Sequence, residues 1–182
     1  MPDAGHLAAL LEFDRHAILA GQCWRLWTGH LVHYSAQHAL IDVATALVAG
    51  LIAAQSFGAR RIVLTVALGA PLISLGLLLA APDCLYYRGA SGLAVLLAVV
   101  AGASLWHDAR AGSAPRVRAA LMLLAAALAV KIAAETRGWS LDWSDLPADV
   151  AVAWQAHLLS AAAGMAAVPV LRARGRCVRR MM

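Results

Sequence analysis

Five apolar runs, each about as long as a lipid bilayer's hydrocarbon is thick, decide what this chain can fold into. A helix rising 1.5 Å per residue needs about 20 residues to cross ~30 Å. Runs of that length lie at roughly residues 35–56, 62–81, 90–106, 118–135 and 151–171. Hydrocarbon offers backbone amides no water, so each run must satisfy its own hydrogen bonds as a helix. The expected fold class is all-α: a polytopic membrane helix bundle of five transmembrane helices. It forms one domain over residues 1–182, with an interfacial segment (1–34), the bundle (35–171) and a basic cytoplasmic tail (172–182). Composition agrees, at 62% hydrophobic and 14% charged with a mean hydropathy of +0.72. Soluble domains run near half apolar and a quarter charged. The three cysteines Cys23, Cys84 and Cys177 are too few for a disulfide scaffold, although Cys23 and Cys84 fall on one face and could pair.

The basic residues set the orientation. Arg60, Arg61, Arg110, Arg116, Arg118, Arg172, Arg174, Arg176, Arg179 and Arg180 are ten of the fifteen Lys and Arg, and all fall at one end of the runs. That end is read as cytoplasmic. The opposite loops carry Asp83, Asp142, Asp145 and Asp149. Membrane orientation accounts for the net charge of +5, so no nucleic-acid partner is expected. The first run then enters from outside, and nothing in residues 1–34 carries that segment across. The stretch Leu7–Phe13 is too short to span, and no signal-peptide pattern is present. Trp24, Arg25 and Trp27 read as interfacial. This orientation leads to the expectation of a further helix upstream of Met1.

Against this background the run beginning Gly89-Ala90-Ser91-Gly92 is unusual. Small neighbours let other backbones approach a hydroxyl, and a helix N-terminus suits a developing oxyanion. His157 lies ~10 Å down the last run from the same side. Its stripe, Ala153, His157, Ser160 and Gly164, matches a second stripe at Ser91, Ala94, Ala98 and Gly102. Packed together, the two faces would bring Ser91 to His157, a nucleophile to its base. No acidic third member is evident, so the reading is a Ser–His dyad. Lys131 and Glu135, four apart, are read as an ion pair that fixes packing. His30, His33, His38 and Asp42 gather before and at the start of the first run. They are open to a zinc-site reading or to a bland one as interfacial histidines.

Taken as an ordered set, these residues resemble the rhomboid intramembrane serine proteases. Trp24-Arg25 matches that family's Trp-Arg loop motif, and His33, His38 and Asp42 match its His-x4-His-x3-Asn motif. Gly89-Ala90-Ser91-Gly92 and the late His157 complete the pattern from about Asp14 to Gly164. The resemblance implies Ser91 as nucleophile and His157 as general base, with His38 and Asp42 supporting the oxyanion. It gives His33 a structural role and puts Gly89 and Gly92 beside the substrate. Within the family, the stretch from Asp14 to His30, Tyr87-Arg88 before the glycine, and Lys131 with Glu135 resemble the rhombosortase branch. That branch implies cleavage of exported bacterial proteins at C-terminal tails with a Gly-rich motif, a membrane helix and a basic cluster.

The expectations follow from that resemblance. The partners are a membrane-anchored protein substrate and the lipid bilayer, with no cofactor and no metal. The location is the bacterial inner membrane, with the active site toward the periplasm and the C-terminus in the cytoplasm. Three departures from the family stand out. Asp42 replaces Asn, and an ionised carboxylate cannot donate to an oxyanion. Ser160 stands where a glycine is usual. The family's core has six helices and the sequence has five, the first being absent. A catalytically inactive binder of membrane helices is the alternative, and a small transporter or metal-handling protein using His30, His33 and His38 is a third.

Overall fold

The computed structural model describes residues 4–112, 114–139 and 153–179. In chain order the elements are α1 (Ala4–Leu11), β1 (Phe13–Asp14), α2 (Arg15–Leu19), α3 (Arg25–Thr28), α4 (Ala36–Phe57) and α5 (Ala59–Ala80). They continue with β2 (Tyr86–Tyr87), α6 (Ser91–Ala111), α7 (Pro115–Glu135) and α8 (Trp154–Arg179). Helices α4 to α7, and α8 as far as Ala173, are each long and apolar enough to cross a membrane. The protein is thus the multi-pass helical bundle that the apolar runs require. Residues 140–152, with Asp142, Asp145 and Asp149, lie outside the described residues, as does the expected start of the fifth run.

Local chemistry sets the helix ends. Ser35 caps α4, its hydroxyl accepting the His38 N–H at 3.0 Å, which satisfies one of the free donors of the first turn. Gly58, at φ +86°, ends α4 and precedes α5 at once. Helix α5 starts three residues before its apolar run because Arg60 and Arg61 occupy its first turn at the bilayer edge. Pro71 inside α5 has no N–H to give the carbonyl four residues back. That carbonyl, Ala67 O, instead accepts the indole N–H of Trp27 at 2.9 Å.

Helix α6 is the axis of the bundle. Half of its span is buried, against none of α7's. It packs against α4, α5, α7 and α8. Phe13, Ile73, Leu77, Leu96 and Val100 are essentially inaccessible and join β1, α5 and α6 into one core. Leu64, Leu68, Leu79, Leu123 and Leu124 face outward, as lipid-facing leucines should. With no hydrophobic drive between helices in lipid, close packing must hold them. A Cβ on Gly164 of α8 would meet Leu96 O and the Val99 side chain at 2.9 Å, so only glycine fits there.

The N-terminal segment does more than lie at the interface. Antiparallel β1 and β2 pair Phe13 with Tyr87 and Asp14 with Tyr86. Arg25 is buried and donates to Ala9 O at 2.9 Å and Glu12 O at 2.8 Å. Arg15 donates to Leu78 O at 2.7 Å near the end of α5. His30 binds Ala70 O and the Ser74 hydroxyl, both at 3.1 Å. These polar side chains all find hydrogen-bond partners, which offsets the cost of burying them. Cys23 and Cys84 are separate free thiols.

Candidate active site

Ser91 is the first residue of α6, reached through a turn that only glycine can make. Gly89 has φ +130°, and a Cβ there would sit 2.9 Å from His38 Cε1 and 3.1 Å from Asp42 Oδ2. The turn is pinned by the Ala90 N–H, which donates to His33 Nε2 at 3.2 Å. Its other wall is Tyr87, whose hydroxyl accepts the Gly92 N–H at 3.4 Å and shares a hydrogen bond with the Ser91 hydroxyl. Burial pushes the Tyr87 phenol up to about 12, so it stays neutral beside Ser91 at any physiological pH.

His157 is buried in the first turns of α8. Its Nδ1 lies 2.7 Å from Glu135 Oε2 at the end of α7. The other carboxylate oxygen of Glu135 is bonded by Lys131. The Lys131–Glu135 ion pair read from the sequence is therefore present. It is part of a larger array, and the expectation of no acidic partner for His157 is corrected. The spacing between Glu135 and His157 crosses the α7–α8 connection, and no periodicity within one helix reveals it.

Ser91 and His157 open on one cavity of about 1230 Å³. No hydrogen bond joins them among the described residues; each is engaged elsewhere, Ser91 by Tyr87 and His157 by Glu135. The seam between α6 and α8 also differs from the sequence reading. Ser160 and Gly164 of α8 meet Gly92, Leu96 and Val99 of α6. The small stripe Ser91, Ala94, Ala98 and Gly102 lines the cavity instead. The reason is steric: a Cβ on Gly92 would lie 3.0 Å from the Ser160 hydroxyl, so Gly92 makes the room that Ser160 takes. Ser160 is fully buried and returns its hydroxyl to Ala156 O at 2.5 Å. Gly89 and Gly92 thus both face protein atoms.

The histidine cluster lies across the cavity mouth on α4. Asp42 Oδ2 is 3.1 Å from His38 Nε2 and 3.4 Å from His33 Nε2. Tyr34 stacks on His38, with 5° between planes. The Nδ1 of His38 is buried without a partner. The His33 nitrogen is already the acceptor of the Ala90 N–H, and Asp42 Oδ2 is buried without an aligned hydrogen bond among the described residues; His38 and Asp42 both line the cavity with Ser91. His30 stands apart, bonded to α5, and no group of three or more His, Cys, Asp or Glu arranged to hold a metal ion occurs among the described residues.

Two residues at the site were not read as functional from sequence, Tyr87 and Glu135. Tyr87 carries only its place in the Tyr87-Arg88 stretch before the glycine turn, which supplies a resemblance and no role. Glu135 carries one, as an ionisable residue inside an apolar run, which is costly unless it has a task. Chemically, the site offers a hydroxyl at a helix N-terminus, an imidazole with one nitrogen committed to a carboxylate, and a buried cluster of histidines facing them. A family profile for the Rhomboid domain matches residues 20–174. Comparison with curated proteins finds no match.

Proposed function

Because this chain belongs to the rhomboid family of intramembrane proteases, we propose that it is a serine endopeptidase with Ser91 as nucleophile and His157 as general base. The observation that carries the reading is the shared cavity. It is lined by both the first residue of α6 and the buried His157 of α8, together with residues of α4 and α7. Thr45 and Ile52 of α4 and Leu121 and Leu128 of α7 make its flanks apolar, which suits entry of a substrate helix from the lipid.

The reaction runs as acyl transfer. The Ser91 hydroxyl exchanges Tyr87 for His157 and attacks the scissile carbonyl carbon, passing its proton to His157 Nε2. The oxyanion is held by the Ser91 N–H, free at the helix start, and by His38. His157 returns the proton to the leaving amine, and an acyl-serine ester remains. Water, deprotonated by His157, then releases the carboxylate and restores Ser91. His33 supports the turn through Ala90, and Asp42 lies beside His38.

The substrate class is a C-terminal tail with a Gly-rich motif, a membrane helix and a basic cluster, as the likeness to rhombosortases supports. The ten arginines read from the sequence at the other end of the runs support a site on the periplasmic side of a bacterial inner membrane. In liposomes, a reporter bearing such a tail should be cut by the wild-type protein and left intact by Ser91→Ala and His157→Ala. Cleavage by either variant would refute the assignment.

Asp42 in place of Asn, together with the open Ser91–His157 pair, favours a second reading: an inactive protein that binds membrane helices. A fluorophosphonate probe separates the two. Labelling of Ser91 supports the enzyme, and no labelling with retained binding of the reporter supports the binder.

A further inference from the structure

We infer that Glu135 is a positioning residue for His157, so that the machinery is a serine–histidine–glutamate array with Lys131 as counter-ion. The inference rests on the roles given above to Ser91 and His157. Its ground is geometric. Glu135 is the single buried residue among those of α7, and its side chain has no exposed surface. Its two oxygens are divided between two cations or potential cations: Oε1 takes Lys131, and Oε2 takes His157 Nδ1 at 2.7 Å. Lys131 reaches from one turn earlier and remains partly exposed, so it can hold the carboxylate ionised without itself being sealed in.

A carboxylate bonded to Nδ1 does two things for a general base. It selects the tautomer with hydrogen on Nδ1, leaving the lone pair on Nε2 for the serine proton. It also stabilises the imidazolium that forms in the transition state. No other carboxylate in the described cavity is placed to do this. Asp42 faces the cavity from α4 and lies against His33 and His38, 3.4 and 3.1 Å from their Nε2 atoms. The charged or titratable groups bonded at His157 are Glu135 and, through it, Lys131 from α7; the cavity is lined besides by His38 and Asp42 of α4, Tyr34 before it, and Tyr86, Tyr87 and Arg88 before α6.

A merely structural role is the competing explanation, since the same bond docks α7 on α8. The experiment separates them by splitting rate from affinity and from stability. The full chain in liposomes is titrated with a fluorophosphonate–rhodamine probe, and kinact and KI are measured against pH. For Glu135→Gln, kinact should fall by at least ~10²-fold, against the ~10⁴-fold cost of the equivalent change in a Ser–His–Asp triad. KI should stay within about threefold, and the acid limb of the kinact profile should move. A structural role would instead lower the melting temperature and leave that limb in place.

The double variant Lys131→Met with Glu135→Gln removes both charges and leaves none unpaired, which keeps the test available if the single variant does not fold. Its kinact should fall similarly. A kinact within threefold of wild type in either variant overturns the inference. Ser91→Ala and His157→Ala run alongside and should not label. If His157→Ala labels at the wild-type rate, the assignment of the base has failed, a result distinct from failure of Glu135.

Discussion

Replacing Gly89 by alanine tests the link between the glycine turn and the histidine cluster. Two costs arise at this position. The first is conformational: φ +130° lies where side-chain-bearing residues pay about 1–3 kcal/mol. The second is steric. The added methyl would stand 2.9 Å from His38 Cε1, 3.0 Å from His38 Nε2 and 3.1 Å from Asp42 Oδ2. Neither partner can yield freely, because His38 is stacked on Tyr34 and Asp42 is buried against His33 and His38. Overpacking of this kind costs about 1–3 kcal/mol. Gly21 supplies the control, since it has φ +103° but nothing within 4 Å of its Cβ position. Gly21→Ala should therefore show the conformational cost alone. At roughly 2–4 °C per kcal/mol for a chain of this size, Gly89→Ala should melt about 2–12 °C below Gly21→Ala in detergent. Its fluorophosphonate labelling should fall as His38 is displaced, while Gly21→Ala labels normally. A melting temperature for Gly89→Ala equal to or above that of Gly21→Ala would show that the turn is not packed against the cluster as described.

Two further outcomes are expected. Burial lowers His30 to about 4 against an ordinary value near 6.5, so the unfolded chain binds a proton more readily than the folded one. Its contribution is complete above pH 6.5 and is lost as pH falls toward 4, up to about 3 kcal/mol. The melting temperature of His30→Gln should fall less than wild type's between pH 7 and 4.5, and parallel curves would contradict this. Asp42→Asn restores the residue usual in the family and supplies an amide donor where a carboxylate now stands 3.1 Å from His38. Ser91 labelling should accelerate by up to ~10-fold at pH 7; a fall of that size would mean that the carboxylate is needed to hold His38.

The Lys131–Glu135–His157 array also bears on how α7 is held. Most of α7 is exposed, and it borders the cavity that Ser91 lines. Helices in lipid associate through close packing and polar contacts. α7 brings little of the former, so the Glu135 bond to His157 fastens its C-terminal end to α8. One bond thus serves docking and the site together, and separating these roles requires kinetic readouts as well as stability.

The number of spanning helices among the described residues was legible because it depends on local quantities, run length and apolar content; their ends were less so, since α5 starts three residues before its run and α6 continues to Ala111. The ordered motifs around Trp24, His38, Ser91 and His157 were legible for the same reason, and they pointed to the family before any coordinates. What the sequence left dark lies between elements. The rotation of α6 against α8, which turns Gly92 rather than Ser91 toward Ser160, follows from steric fit between two helices. The His30 bond to Ser74, the Trp27 bond to the carbonyl freed by Pro71, and the Glu135 bond to His157 join residues 44, 40 and 22 positions apart. Hydropathy and spacing fix how each segment meets the bilayer, since the bilayer is one uniform solvent for all of them. Which polar atom ends beside which is settled only when the helices have docked, because a buried donor or acceptor takes whichever partner the packing brings within reach.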